Sequence, residues 1–217
     1  KFYTSGQLRW RTDLSSRRPV FLEPAIVFNR WDYFSGFNSF FQEVRPSYII
    51  QRELWGGLNA GLAMGNKGLL RMDGKYAQSK DSYYQDSNFG ARDTADATAF
   101  SYATAGLSVE RNSLNRKQQP NSGELIRLGV RYIGGQENTT PGSRAENRED
   151  VTARHDWVVL KATLDKYFLP RGLFKFGIMA EGTYSTQPFF ANYTGTLLQA
   201  PVFQPTPESR TYFLEKY

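Results

Sequence analysis

Gly172–Thr186 reads GLFKFGIMAEGTYST. Taken two residues at a time, Phe174, Phe176, Ile178, Ala180 and Tyr184 share one face, and Lys175, Gly177, Glu181, Thr183 and Ser185 share the other. Side chains alternate across a strand, so this spacing predicts a strand with one apolar and one polar side. At about fifteen residues it is longer than the roughly five or six usual in globular proteins. Long tilted strands of this kind are what a membrane-spanning β-barrel requires. A long strand of a soluble barrel or sandwich is the competing reading, and repetition of the pattern decides between them.

The pattern repeats. Leu8, Trp10, Thr12 and Leu14 oppose Gln7, Arg9, Arg11 and Asp13. Over 20–33, Val20, Leu22, Ile26 and Phe28 oppose Glu23, Ala25 and Asn29, with Pro24 as a flaw that predicts a bulge, since proline cannot donate to a ladder. Residues 34–50 read as a long aromatic-rich connection. Leu54, Leu58, Ala60, Leu62 and Met64 then oppose Glu53, Trp55, Asn59 and Gly61. Gly65-Asn66-Lys67-Gly68 is a hairpin signal. The return strand, to about Lys80, sets Leu70, Met72 and Tyr76 against Arg71, Asp73, Lys75 and Ser79. Residues 81–97 read as a polar loop. Ala103, Ala105, Leu107 and Val109 next oppose Tyr102, Thr104, Ser108 and Glu110. After the turn segment 113–123, Ile126, Leu128, Val130 and Tyr132 oppose Arg127, Gly129 and Arg131. Residues 138–154 read as a second polar loop. Val158, Leu160, Ala162, Leu164 and Phe168 then oppose Lys161, Thr163 and Asp165. Pro170-Arg171-Gly172 turns the chain into the first stretch quoted.

The expectation is an all-β fold, an antiparallel transmembrane β-barrel, with about eight strands in this chain. Connections after Leu14, Met64, Asn112 and Phe168 read as short, and those after Tyr33, Lys80, Gln136 and Thr186 as long. Outer-membrane barrels alternate short periplasmic turns with long outer loops, so the expected location is a bacterial outer membrane with the long loops outside the cell. The apolar positions Leu58, Leu62, Leu128, Val130, Leu160, Leu164, Phe174, Phe176 and Ile178 are expected to face membrane lipid. Arg71, Asp73, Lys75, Arg127, Arg131, Lys161, Asp165, Lys175 and Glu181 are expected to line a hydrated lumen, as are Arg9, Arg11, Glu23 and Glu53. An Arg or Lys facing mid-membrane costs roughly 2–4 kcal/mol. Trp10, Trp31, Tyr33, Phe34, Phe100, Tyr102, Trp157, Tyr167 and Phe168 read as interfacial girdles.

Composition agrees without deciding. The 217 residues hold 13 Tyr and 19 Gly, aromatics are 15%, and the mean hydropathy of −0.56 does not argue against a barrel, because lumen and loops are polar. There is no apolar run of about 18 residues, which excludes a transmembrane helix. Cysteine is absent, so there is no thiolate metal site. The net charge is +6, but Lys and Arg are scattered singly, which argues against nucleic acid as a partner. Lys1 and Tyr217 read as the ends of a piece of a longer protein.

Asn112-Ser113-Leu114-Asn115, with Pro120 and Gly123 following, resembles the periplasmic turn of the BamA/TamA-type outer-membrane barrel superfamily (bacterial surface antigens), with Asn115 where that family often carries Asp. Asn192-Tyr193, Leu197-Leu198-Gln199-Ala200-Pro201, Phe203, Pro205-Thr206-Pro207-Glu208-Ser209 and Phe213-Leu214-Glu215-Lys216-Tyr217 resemble the C-terminal barrel of Bacteroidota patatin-like phospholipases, as do Tyr48-Ile49-Ile50-Gln51 and the Gly65–Gly68 hairpin. The resemblance implies a sixteen-strand barrel, of which residues 1–217 would form roughly the middle half. The rest of that barrel, or a partner chain, would complete it. It also implies that 187–217 begins a long loop folding into the lumen, with Phe203, Pro205, Pro207 and Tyr217 as candidate lumen residues. Phe189-Phe190 and Phe203 would pack there as a plug. The Arg-Gly-Tyr/Phe-like motif of that loop is reached only at its threshold.

The implied function is to anchor, display or translocate a passenger, as the membrane part of a lipid acyl hydrolase. A porin-like or assembly and secretion barrel is the alternative, and a soluble β-rich binding protein the third. No catalytic motif is found in this chain, and any phospholipase activity is expected to lie in an N-terminal domain outside it. There is no G-x-S-x-G, and Ser5-Gly6 lacks the spacing. His155 is the only histidine and reads as a rim residue. Gly134-Gly135 reads as a rim or bulge feature. Asp81, Asp86, Asp93 and Asp96 read as a solvated acidic loop rather than a calcium site. No metal or cofactor is expected.

Overall fold

A computed structural model describes residues 2–14, 19–33, 49–85, 89–90, 92–116, 120–145, 148–168 and 176–200. Nine strands form one antiparallel sheet: β1 (Phe2–Arg9), β2 (Thr12–Asp13), β3 (Val20–Tyr33), β4 (Ile49–Met64), β5 (Gly68–Tyr83), β6 (Asp96–Asn112), β7 (Gly123–Thr140), β8 (Val151–Phe168) and β9 (Phe176–Ser185). They follow chain order as a meander, with β1 and β2 both on β3. Among the described residues the sheet is open, with β1 and β9 at its edges. One short helix, α1 (Tyr193–Gln199), follows β9. Residues 172–175 lie outside the described residues, so β9 is seen only from Phe176 onward.

The alternation builds the sheet because every ladder keeps one register. Leu22, Ala60, Met72, Leu107, Val130, Leu160 and Tyr184 are successive partners across seven strands. Val20, Leu62, Leu70, Val109, Leu128, Ala162 and Gly182 form the next row. Pro24, Leu58, Gly74, Ala105, Tyr132 and Val158 form the row on the other side. These rows share one face, called outer here. The inner face carries the buried side chains and is covered in part by 186–200.

The bulge expected at Pro24 is absent. The β3–β4 register is continuous through Pro24↔Leu58, and β1 and β2 keep a common register on β3. The Pro24 carbonyl accepts from Trp10 N at 3.0 Å, but proline has no N–H to return to Trp10. The missing bond splits what would be one edge strand into β1 and β2.

Several strands outrun their sequence reading. The expected loops 81–97 and 138–154 contract to 84–95 and 141–150, because β5 runs to Tyr83, β6 starts at Asp96, β7 runs to Thr140 and β8 starts at Val151. The length alternation weakens accordingly: 65–67 is short and 84–95 longer, but 113–122 and 141–150 are equal. Gly134 and Gly135 lie inside β7 with unbroken pairing, not at a rim or bulge. A Cβ on Gly135 would meet Tyr102 Cβ at 2.5 Å and Phe100 Cζ at 2.8 Å, so the glycine leaves room for both side chains. Gly65 (φ 63°) makes the β4–β5 hairpin, as its sequence signal predicts. In the β6–β7 turn, Asn115 Oδ1 accepts from Asn121 N (3.1 Å) and Ser122 N (3.2 Å), while Gly123 takes φ 97°.

In a Pro24→Val variant the new amide should bond the Trp10 carbonyl and join β1 to β2. Hydrogen exchange checks this: residue 24 is expected to be protected like its neighbours, and exchange at the open-chain rate would place the cause of the gap elsewhere.

Candidate functional site

The outer face is apolar and exposed, unlike the solvent face of a water-soluble sheet, while the inner face mixes buried apolar and polar side chains. The outer face exposes Leu58, Leu62, Leu128 (57%), Val130, Leu160, Leu164, Phe176 and Ile178, together with Ile26, Phe28, Leu54, Met72 and Tyr184. Of the residues expected to face lipid, all but Phe174, which lies outside the described residues, take this face. The inner face buries Asn29, Glu53, Asp81, Thr98, Glu137 and His155. Trp31, Phe100, Tyr102 and Trp157 are also inner and buried, so the girdle expectation fails for them. They are interior packing: Phe100 stacks on Tyr102 (4.8 Å) and Trp157 (5.6 Å). Trp10 is on the outer face and 71% exposed.

The inner face has two storeys. The turn-side storey is a lattice of ion pairs. Arg9 Nε meets Glu23 at 3.4 Å, Arg127 meets Glu110 at 2.7 Å, and Lys161 meets Glu181 at 3.3 Å, each on a neighbouring strand. Arg131 Nη2 reaches Asp73 at 2.8 Å across the intervening strand β6. Gly106 is the residue between them in register, and a Cβ there would come within 2.6 Å of the Asp73 carboxylate. Glycine therefore makes this two-strand bridge possible. Lys75 Nζ lies 5.5 Å from both the Trp55 and Tyr102 ring centres. Arg71 and Asp165 alternate onto the same face; Lys175 lies outside the described residues.

The loop-side storey is closed by 186–200. Asn192 caps α1, accepting from Gly195 N at 2.7 Å, and its amide donates to Tyr83 Oη. Tyr83 Oη and Thr98 Oγ1 are 2.9 Å apart, as are Thr98 Oγ1 and Thr139 Oγ1. Thr139 donates to Glu137 at 2.7 Å, so the hydroxyls order into one relay that runs from Asn192 to the Glu137 carboxylate. Glu137 is fully buried (0%), lies 2.6 Å from His155 Nε2, and accepts from Ala191 N at 3.0 Å. Phe190 stacks on His155 at 4.6 Å and packs edge-on against Phe100 and Trp157. Gln199 donates to Ser79 (2.9 Å) and Asp81 (2.8 Å). The return segment thus closes a ring of hydrogen bonds over β5–β8.

His155 is therefore an interior residue of β8, not a rim residue. Among the described residues it has no nucleophile in series: Thr139 bonds the carboxylate rather than the imidazole, so the triad order is not formed there. Glu137, Asn192 and Gln199 were missed by sequence reading. The first falls just past the predicted end of β7. The Asn192 cap ahead of a short helical segment was the available signal for the other two. Phe189 is 76% exposed, so of the Phe189-Phe190 pair only Phe190 packs. Phe203, Pro205, Pro207 and Tyr217 lie outside the described residues.

Of the acidic residues Asp81, Asp86, Asp93 and Asp96, Asp86 lies outside the described residues, and the other three have separate partners. Among the described residues there is no group of three or more potential metal ligands. Asp81 belongs to β5, and Asp96 accepts from Gly142 N and Gln85 Nε2 (2.5 and 2.6 Å). Asp93 stitches loop 84–95 to loop 141–150: it accepts from Gly90 N (2.8 Å) and Ser143 Oγ (3.2 Å) and pairs with Arg144 (3.0 Å). No family model, curated protein or solved structure matches this chain.

Two outcomes follow from this geometry. Glu137→Ala leaves the Ala191 amide and His155 without their shared acceptor, and is expected to cost about 3 kcal/mol or more in denaturant unfolding. It should also admit protease cleavage between Ser185 and Ala200; a segment as resistant as the parent's would show that the ring does not hold it. The Asp93 carboxyl is held below the usual carboxylate range, first by the Gly90 N–H and then by Arg144 and Ser143, against desolvation. Its folded value is the lower one, so its contribution is complete above the ordinary Asp range and lost as pH falls through the depressed value. The Gly90 amide resonance, whose N–H donates to Asp93, should therefore move only below the range in which an ordinary Asp titrates, and Asp93→Asn should abolish that titration.

Proposed function

We propose that this sheet is the wall of a bacterial outer-membrane β-barrel, with its outer face in lipid and its inner face toward a polar interior. The observation that carries the reading is the exposed outer face, where apolar side chains stand in register from β3 to β9, while carboxylates and hydroxyls are buried among aromatics on the other face. A soluble sheet has every reason to keep such an apolar face from water. Outer positions from Leu54 to Met64 on β4 cover about 34 Å along the strand, which at a tilt of about 40° becomes roughly 26 Å, the height of a barrel's apolar band.

Within this reading the two open edges pair with further strands, from the same protein or a partner chain, because lipid offers backbone groups no hydrogen bonds. The module anchors, displays or translocates a passenger. Its resemblance to the barrels of patatin-like phospholipases makes a lipid acyl hydrolase the passenger of first choice, any catalysis belonging to a domain outside this chain. The return segment, tied down by Glu137, Asn192 and Gln199, favours a closed interior over an open porin-like pore.

Trp10 tests the membrane placement. It is outer, in register with Pro24 in the middle of the apolar rows, whereas Trp31 and Trp157 are buried inside and Trp55 alternates inward. In vesicles of phosphatidylcholine brominated at mid-chain, Trp10 emission should be quenched, and Trp10→Phe should remove that quenched component. Full emission from Trp10 in brominated vesicles would overturn the membrane reading.

A further inference from the structure

On the outer face, Arg30 pairs in register with Arg52, and Arg52 with Lys80. Three cations thus stand side by side on β3, β4 and β5, with backbones about 5 Å apart. Like charges directly across a strand pair repel and destabilise a sheet. Among the described residues only Arg30 has a carboxylate partner, Asp32 at 3.0 Å, and both Arg52 and Lys80 are exposed. The next outer row toward the turns is Phe28, Leu54 and Gln78, with apolar side chains below Arg30 and Arg52.

The turn-side margin of the same face is built differently. There Arg111 and Lys166 share Glu124, each at 3.7 Å, so its cations are offset by a carboxylate between them. Among the described residues the loop-side row keeps an excess of two positive charges (three cations against Asp32), with Phe28 and Leu54 directly below Arg30 and Arg52.

We infer that Arg30, Arg52 and Lys80 form a docking site for the anionic headgroup phosphate of a membrane lipid, whose acyl chains lie along Phe28 and Leu54. A phosphate between the strands converts the row's repulsion into shared charge-assisted hydrogen bonds. The adjoining apolar row explains why the anion is carried on a lipid rather than free in solution. The inference rests on the membrane placement proposed above.

The test uses the full-length protein in phosphatidylcholine vesicles, with spin-labelled phosphatidylglycerol and phosphatidylcholine compared by electron paramagnetic resonance. The native protein should prefer phosphatidylglycerol. Arg52→Gln/Lys80→Gln should lose about fivefold of that preference for each cation removed, while Arg111→Gln/Lys166→Gln, with the same loss of charge at the other margin, should keep it. Circular dichroism confirms that both variants are folded. Equal losses in both variants, or no preference in the native protein, would overturn the docking site while leaving the membrane reading intact. Release of the lipid by inorganic phosphate at matched ionic strength would overturn the lipid as the source of the phosphate. Failure of the native protein to enter phosphatidylcholine vesicles, read by Trp10 quenching, would overturn the membrane reading and the docking site with it.

Discussion

Two-residue alternation carried without a slip from β3 to β9 is the constraint on which the structure depends. A strand's side-chain period is two, so a single inserted residue would move every later side chain to the opposite face. One bulge in β6 would turn Leu107 and Val109 inward and Ser108 and Glu110 outward. None occurs: each ladder holds one register along its whole length. Even Pro24 is accommodated by omitting one hydrogen bond to Trp10 rather than by shifting register. An edge-facing position is where a strand tolerates proline, and here it leaves both faces intact.

That alternation fixes what the interior must be made of. A buried face that sets Glu53, Asp81, Glu137 and several threonines among aromatic side chains is stable only if their hydrogen-bonding groups are matched. The hydroxyl relay does this with a single direction of donation. Asn192 begins it as a donor, Tyr83, Thr98 and Thr139 each accept one bond and give the next, and Glu137 ends it as an acceptor. Ala191 then brings a backbone donor to the same carboxylate. The return segment is thus a structural counterpart of the sheet's polarity: it supplies the donors that Glu137 and Asp81 require. Glycines serve the same end, Gly106 by letting Arg131 reach Asp73 over a strand and Gly135 by making room beside Tyr102.

The strands were legible because their faces differ so strongly. Leu128 and Val130 against Arg127 and Arg131 admit only one period, and the structure keeps that assignment. Boundaries were less legible where both faces are polar. In Gln136-Glu137-Asn138-Thr139 hydropathy does not distinguish inward from outward, so β7 reads as ending early although pairing continues to Thr140. The same ambiguity hid His155 inside β8. The aromatics misled for another reason. Trp31, Phe100 and Trp157 sit near the loop-side ends of their strands, where a girdle would also place them, and only their parity shows that they point inward. Phe190 completes that cluster from a segment with no alternation at all, so no strand-period argument could have found it.

The sheet's edges carry the argument one step further. β1 and β9 each lend one side of their backbone to a neighbour, and among the described residues the other side has none. In water such edges are tolerable when short or charged. These edges carry Leu8 at 73% exposure on one side and Phe176, Ile178 and Tyr184 on the other, so water is a poor medium for them. Lipid suits the side chains but not the bare N–H and C=O groups, each of which costs several kcal/mol unpaired in hydrocarbon. Under the proposed membrane placement a continuing sheet would satisfy both demands, so the apolar outer face and the open edges would then pose one requirement rather than two.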